Sequence, residues 1–230
     1  NDRLKLTGSL RFDKNENFEG QVSPRISAVY TTGANREHNF RASFQTGFRN
    51  PSTQQQFIYF PTGAGILVGS TEANAARYGI HNGGAVTNQS YNAFIGSVLA
   101  GQPNPALLQT VDIAYVQPEQ LKVVEFGYKA LVNRKLLIDF NFYHNIYDNF
   151  LSQQTVRNRV GTSQKGVALP GIDDLLAGRA TSATAFRPYT NATAQVTSTG
   201  AGLGLTYQLS GGYQVYGHYT YSTFNADDAG

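Results

Sequence analysis

Apolar and polar side chains alternate along several stretches of the chain, beginning with Leu4, Leu6, Gly8, Leu10 and Phe12 against Lys5, Thr7, Ser9, Arg11 and Asp13. An alternation of period two puts one set on each face of a β-strand. Val22, Pro24, Ile26, Ala28 and Tyr30 oppose Ser23, Arg25, Ser27 and Val29, and Phe40, Ala42, Phe44, Thr46 and Phe48 oppose Asn39, Arg41, Ser43, Gln45, Gly47 and Arg49. After a long interval Val124, Phe126, Tyr128, Ala130 and Val132 stand against Glu125, Gly127 and Lys129, then Leu136, Ile138, Phe140 and Phe142 against Asp139, Asn141, Tyr143 and Asn145. Ala201, Leu203, Leu205, Tyr207 and Leu209 face away from Gly202, Gly204, Thr206 and Gln208, and Tyr213, Val215, Gly217, Tyr219 and Tyr221 from Gln214, Tyr216, His218, Thr220 and Ser222. The pattern predicts an all-β chain with about seven long antiparallel strands.

A soluble sandwich or barrel also alternates, so a second criterion is needed. The wet faces carry Arg11, Arg25, Arg41, Glu125, Lys129 and Asp139, whereas no charge falls at the apolar positions named above. A charge facing mid-bilayer lipid costs about 2 to 4 kcal/mol, so a lipid-facing surface excludes it where a soluble one would tolerate exceptions. Connection lengths point the same way. Tight turns at Gly33-Ala34-Asn35-Arg36, Asn133-Arg134-Lys135 and Ser210-Gly211-Gly212 alternate with a medium connection at 14–20 and long ones at 49–119 and 149–190. Structureless loops beyond about 12 to 15 residues are uncommon in compact domains, but outer-membrane barrels place short periplasmic turns at one end and long extracellular loops at the other. Tyr30, Phe40, Tyr207 and Tyr213 lie near the tight turns, as an interfacial girdle would. The expected fold is an antiparallel transmembrane β-barrel segment.

Composition narrows the partners. Charged residues make up 14% of the chain, against roughly 25% in soluble domains. The formal net charge of +3 is too small an excess for a nucleic-acid surface, so no nucleic acid is expected. Without cysteine there is neither disulfide nor thiolate chemistry, and no apolar run approaches the roughly 20 residues of a membrane helix. The absence of methionine and of a signal peptide at Asn1-Asp2-Arg3 leads to the expectation that the chain is a piece of something longer.

Three stretches, QVSPRISAVY, FRASFQTGFRNPSTQQQF and QPEQLKVVEFGYKALVNRKLLIDFNFYHNIYDNF, resemble barrel segments of TonB-dependent outer-membrane receptors. Thr46-Gly47-Phe48-Arg49-Asn50-Pro51 is similar to the family's strand exit into an extracellular loop, where Pro51 cannot donate a ladder hydrogen bond. Gln117-Pro118-Glu119 running into Glu125-Phe126-Gly127-Tyr128-Lys129 is similar to its next strand. The resemblance covers most of the chain. It implies part of a Gram-negative outer-membrane receptor that binds a nutrient of the glycan, siderophore or cobalamin class and imports it with TonB-coupled energy. It further implies outer-membrane lipid and a small-molecule or glycan ligand as partners, a surface lipoprotein lid if the relatives it follows are the glycan importers, and contact with the TonB complex through parts outside this chain. Neither a plug domain nor a TonB-contacting segment is recognisable, and Asp227-Asp228-Ala229-Gly230 lacks the aromatic end of a bacterial barrel's last strand. About seven strands cannot close a plugged transporter, which needs about 22, so an internal wall segment with two unpaired edges is expected.

Arg25, Arg41, Gln45, Arg49, Glu125 and Lys129 are the candidates for ligand or plug contact on the lumen face, with mutual pairing as the competing role of Glu125 and Lys129. In the first long loop Gln54, Gln55, Gln56, Phe57, Tyr59 and Phe60 combine amide donors with aromatic planes, and Gln54 and Tyr59 are the ligand candidates there; the simpler reading is loop packing. Short helices are expected at 70–78 and 92–100, and Asp173-Asp174 before Leu175-Leu176 reads as a helix N-cap. Asp13-Lys14-Asn15-Glu16-Asn17-Phe18-Glu19 spaces oxygens like a calcium loop but lacks the turn glycine, so it reads as a polar turn. His38, His81, His144 and His218 have no metal-ligand spacing, and Gly200-Ala201-Gly202-Leu203-Gly204 thins a strand face rather than cradling phosphate. Neither metal nor other cofactor is expected. No catalytic constellation emerges, although His218 and Ser222 share a strand face as an outer-membrane hydrolase would require. The remaining rival is a soluble carbohydrate-binding or adhesin-type β-domain.

Overall fold

The computed structural model describes residues 3–226; Asn1, Asp2 and the 227–230 tail, on which the reading of the two ends rested, lie outside the described residues. The chain opens with three long strands, β1 (Leu4–Asp13), β2 (Gln21–Thr32) and β3 (His38–Arg49). It leaves them for α1 (Thr53–Phe57), β4 (Tyr59–Thr62), β5 (Gly65–Val68), α2 (Glu72–Ala75), β6 (Ala85–Thr87), α3 (Asn88–Leu99) and β7 (Thr110–Val111). Two long strands follow, β8 (Glu119–Val132) and β9 (Leu136–Asp148), and then β10 (Leu151–Gln153), β11 (Val156–Asn158), β12 (Thr162–Gln164), β13 (Val167–Leu169), α4 (Ile172–Leu176) and β14 (Ala185–Asn191). β15 (Val196–Gln208) and β16 (Gln214–Asn225) complete the order.

The long strands form one sheet in the order β1-β2-β3-β8-β9-β15-β16, and each neighbour pair is antiparallel. Its register aligns the two sequence-predicted faces from strand to strand. Leu4, Tyr30, Phe40, Tyr128, Phe140, Leu203 and Tyr219 form one unbroken cross-strand row. The adjacent row on the opposite face is Lys5, Val29, Arg41, Gly127, Asn141, Gly202 and Thr220. A one-residue slip at any joint would mix the two, which is why the hydrophobic pattern fixes the register. The apolar face is solvent-exposed over large side chains, among them Leu6, Phe12, Ile26, Phe126, Leu205 and Tyr221. This sheet, with its turns, is one of two compact units.

The second unit, 50–117 with 151–192, replaces the two long loops expected from the sequence. The expected boundaries shift inward because Arg49 and Glu119 still pair as the last and first residues of β3 and β8. Strands β4, β5, β14, β11, β6 and β7 form its sheet, with β10 added on β14. The decisive joint is parallel: Ile66, Leu67 and Val68 of the first segment pair with Phe186, Arg187 and Pro188 of the second. A core of Val68, Tyr78, Ile80, Ile113, Val156 and Phe186, all nearly or fully buried, closes over that joint. Most of these strands are too short to declare a period, although burial alternates along β5 and β14.

Helix positions are corrected in detail. The expected 70–78 helix is α2 followed by a tighter 3-10 turn at Ala76–Tyr78. The second begins earlier than 92, at Asn88, because the Thr87 hydroxyl accepts from the Ser90 N–H at 3.2 Å and caps the first turn. The N-cap of α4 is Gly171; Asp174 lies in its first turn, where its carboxylate accepts from the Gly171 N–H at 3.0 Å.

Candidate functional site

The polar face of the long sheet holds six of the eight predicted site residues. Arg41 lies flat across Gly127, where a Cβ would come within 2.0 Å of the Arg41 Nε. From there its guanidinium reaches Asp139 at 3.8 Å, and Lys129 reaches the same carboxylate at 3.3 Å. Two cations on one carboxylate leave positive charge in excess, and exposed pairs of this kind are worth only about 0 to 1 kcal/mol each. The expected Glu125–Lys129 pair is not formed. Glu125 instead accepts from the Ser43 hydroxyl at 2.7 Å, because the register sets Ser43 directly opposite it while Lys129 faces Asp139 across the next joint.

Arg25, Arg41 and Glu125 meet around a recess of about 420 Å³ whose lining also includes Ser43, Asn141 and Tyr143. Gln45 stands opposite Arg25 and borders a neighbouring recess of about 360 Å³. Arg49 sits at the loop end of the sheet, donating to Glu119 at 2.9 Å. Tyr143 and Asn141 were not predicted. A Cβ at Gly200 would come within 2.5 Å of the Tyr143 ring, and one at Gly202 within 2.6 Å of the Asn141 amide. The signal was the run of glycines on β15, which gives the larger side chains of β9 room to lean across. His218 and Ser222 face Gly204 and Gly200 and stand four residues apart on one strand, about 13 Å, which excludes a nucleophile–base hydrogen bond between them. Among the described residues no group of three or more His, Cys, Asp and Glu could hold a metal ion.

In the second unit the amides of the 54–60 stretch are spent on the fold. Gln54 donates to the Tyr189 hydroxyl at 2.8 Å, Gln55 and Ser52 form a reciprocal cap on α1, and buried Gln56 donates to the Pro51 carbonyl at 2.6 Å. Tyr59 stacks on Tyr78 with ring centroids 5.5 Å apart and packs against the core. Phe57 and Phe60 are the rings that face solvent, 44% and 58% exposed. Burial pushes the His81 imidazole below the usual histidine range, against the opposing pull of the Ile113 carbonyl and Asp112. Asp174 is held below the usual carboxylate range by the Gly171 N–H and by Arg179.

The whole chain, residues 1–230, matches the family described as TonB dependent receptor-like, beta-barrel. The chain belongs to that family. Relatives in the TonB-dependent receptor family are outer-membrane transport receptors rather than enzymes. Among curated proteins no sequence matches. Among solved structures the chain is similar to the copper transporter OprC, at 14% identity and a TM-score of 0.49, over 99% of this chain and 28% of that one. It is also similar to a double mutant of the Serratia marcescens hemophore receptor HasR in complex with its hemophore HasA and heme, at 12% identity and a TM-score of 0.50, over 96% of this chain and 29% of that one. The chain thus spans less than a third of either structure's length, and the likeness to the hemophore receptor, at that identity, concerns the fold alone.

Proposed function

We propose that this chain is a wall segment of an outer-membrane active-transport receptor that binds a nutrient of the glycan, siderophore or cobalamin class and imports it with TonB-coupled energy. The observation that carries the reading is the seven-strand sheet with one continuous apolar face and one polar face. Lipid covers the first; the second lines the lumen, where Arg25, Arg41, Gln45, Arg49, Glu125 and Lys129 contact plug or cargo. The second unit, with Gln54 and Tyr59 serving its packing and Phe57 and Phe60 exposed, is the extracellular part of the chain. The TonB complex acts through parts outside this chain, and a surface lipoprotein covers the outer mouth if the cargo is a glycan.

The test is uptake by Gram-negative cells that carry the full-length receptor, measured with a panel of labelled glycans, iron chelates and cobalamin, with and without TonB. Accumulation of one class that disappears without TonB supports the reading. Accumulation that is indifferent to TonB, or a full-length protein that stays monomeric in buffer without detergent, overturns it in favour of a soluble β-domain.

A further inference from the structure

Charge on the polar face of the long sheet is one-sided. Its strand positions carry Lys5, Arg11, Arg25, Arg41, Arg49 and Lys129 against the carboxylates Asp13, Glu119, Glu125 and Asp139, and all the cations except Lys129 lie on β1, β2 and β3. β15 and β16 hold no Asp, Glu, Lys or Arg. Each of the four carboxylates is engaged: Asp13 by Arg11 at 2.6 Å, Glu119 by Arg49 at 2.9 Å, Glu125 by the Ser43 hydroxyl at 2.7 Å, and Asp139 by both Arg41 and Lys129. Arg25 has no carboxylate partner among the described residues.

The cations also stand in file from the loop end to the turn end. Taking the Arg25–Gln45 pair as the reference level, Arg49 lies four residues toward the loops on β3, and Arg11 lies two, opposite Ser23. Toward the turns Arg41 lies four residues away, opposite Val29, and Lys129 two further, opposite Asn39. At about 3.3 Å per residue the file runs about 33 Å along the strands. Arg11 and Arg25 are diagonal cross-strand neighbours, as are Arg41 and Lys129, which sets each pair about 7 to 8 Å apart. Three recesses follow the same line. Arg11 and Arg25 border the one of about 360 Å³, Arg25 and Arg41 the one of about 420 Å³, and Lys129 borders a third of about 810 Å³ at the turns, with Arg36 and Arg134. The widest step, from Arg25 to Arg41, is lined by Ser27, Ser43, Asn141 and Tyr143, which offer hydroxyl and amide donors beside the engaged Glu125. The paired cations stay more than half exposed, so a passing oxyanion can displace a carboxylate from them. Arginine suits such an exchange because its planar fork matches carboxylate and phosphate alike.

We propose that this file is a path for an oxyanion: a carboxylate or phosphate group on the cargo passes from Arg11 and Arg25 to Arg41 and Lys129, and so to the turn end. Arg25 is the cation it meets unpaired. The inference rests on the wall reading above and deepens it, because it gives the nutrient a negative charge and routes it along β1, β2, β3 and β8 rather than along β15 and β16.

The test compares Ser27→Cys, between Arg25 and Arg41, with Thr220→Cys on the uncharged side, each in an otherwise cysteine-free full-length receptor on energised cells. Two thiol reagents of like size are used, the anionic sulfonatoethyl methanethiosulfonate and the cationic trimethylammonioethyl methanethiosulfonate. The anionic-to-cationic rate ratio is expected to be about tenfold higher at Ser27→Cys than at Thr220→Cys, as a cleft of one charge sign concentrates counter-ions. Adding Arg25→Gln, or raising the salt, brings the two ratios together. Glucuronate or inorganic phosphate slows the anionic reagent at Ser27→Cys, and glucose at the same concentration does not. Equal ratios at the two positions, or equal slowing by glucose, overturn the path while leaving the wall. Silence of Ser27→Cys toward both reagents reveals a face sealed from solutes, and overturns the path as well. The wall reading has its own control in Ala28→Cys on the opposite face of β2: modification there as fast as at Ser27→Cys overturns the wall itself.

Discussion

The long sheet and the second unit are made from the same chain under two different rules of burial. In the sheet the large apolar residues are exposed and the order lies in their register; Leu6, Phe12, Ile26 and Tyr219 are each at least 60% accessible. In the second unit the order lies in a closed core, and Val68, Ile80, Val156 and Phe186 have no accessible surface at all. The first is stabilised by ladder hydrogen bonds and, on the wall reading proposed above, by a solvent that is itself apolar. The second depends on excluding water, as any globular domain does. A substitution should therefore change its meaning on crossing from one unit to the other.

The largest contrast is expected from truncating a ring. Phe186→Ala removes a fully buried side chain and should cost the second unit about 3 to 5 kcal/mol, read as accelerated amide exchange confined to 50–117 and 151–192. Phe126→Ala, on the exposed face, should leave exchange in the sheet nearly unchanged in a bilayer, since lipid refills the space. Comparable losses at both positions would abolish the distinction. Next comes charge: Phe126→Lys should cost about 2 to 4 kcal/mol of folding in lipid, measured by urea titration in bilayers, while Ser43→Lys on the polar face should cost far less.

A smaller effect tests the polar face alone. Gly127→Val places side-chain atoms where Arg41 lies and should cost about 1 to 3 kcal/mol, with loss of the Arg41–Asp139 approach. If Arg41→Ala in the same background restores stability, the crowding is confirmed; continued loss would locate the strain elsewhere. The smallest effect concerns acid. Burial disfavours the charged His81 imidazole, so the unfolded unit takes up a proton first as pH falls below about 6.5. Its stability should be complete above that pH and decline toward the depressed folded value. The Nδ1–H donates to the Ile113 carbonyl and the ring lies tilted against Tyr115, with Asp112 the charge that acts on it; Nε2 has no hydrogen-bond partner. Amide exchange in 78–115 at pH 7 and pH 5 should show the loss in the native chain and its absence in His81→Gln.

The sequence made the long sheet legible because a strand with unlike faces prints a period of two, and Phe40 to Phe48 or Tyr213 to Tyr221 carry it without interruption. The same period placed Arg25, Arg41 and Glu125 on one face. It could not say that Arg41 would lie over Gly127 or that Ser43 would take Glu125, because those contacts depend on which strands are neighbours. The second unit stayed hidden for a further reason. Gly65–Val68 and Ala185–Asn191 are short and far apart in sequence, so neither announces its partner. Tyr59 stood as a ligand candidate beside the simpler reading of loop packing, and nothing in its own segment reveals that Tyr78 is the ring it packs on.

The parallel pairing of Ile66–Val68 with Phe186–Pro188 has a consequence in time. A pairing across that length of chain gives the unit a high contact order, so the first insertion must wait, without its central strand, until the second has been synthesised. The two insertions are one cooperative object with a long delay between its halves. A graft that transplants either insertion alone onto another barrel carries half a hydrophobic core, and only the pair is a portable module.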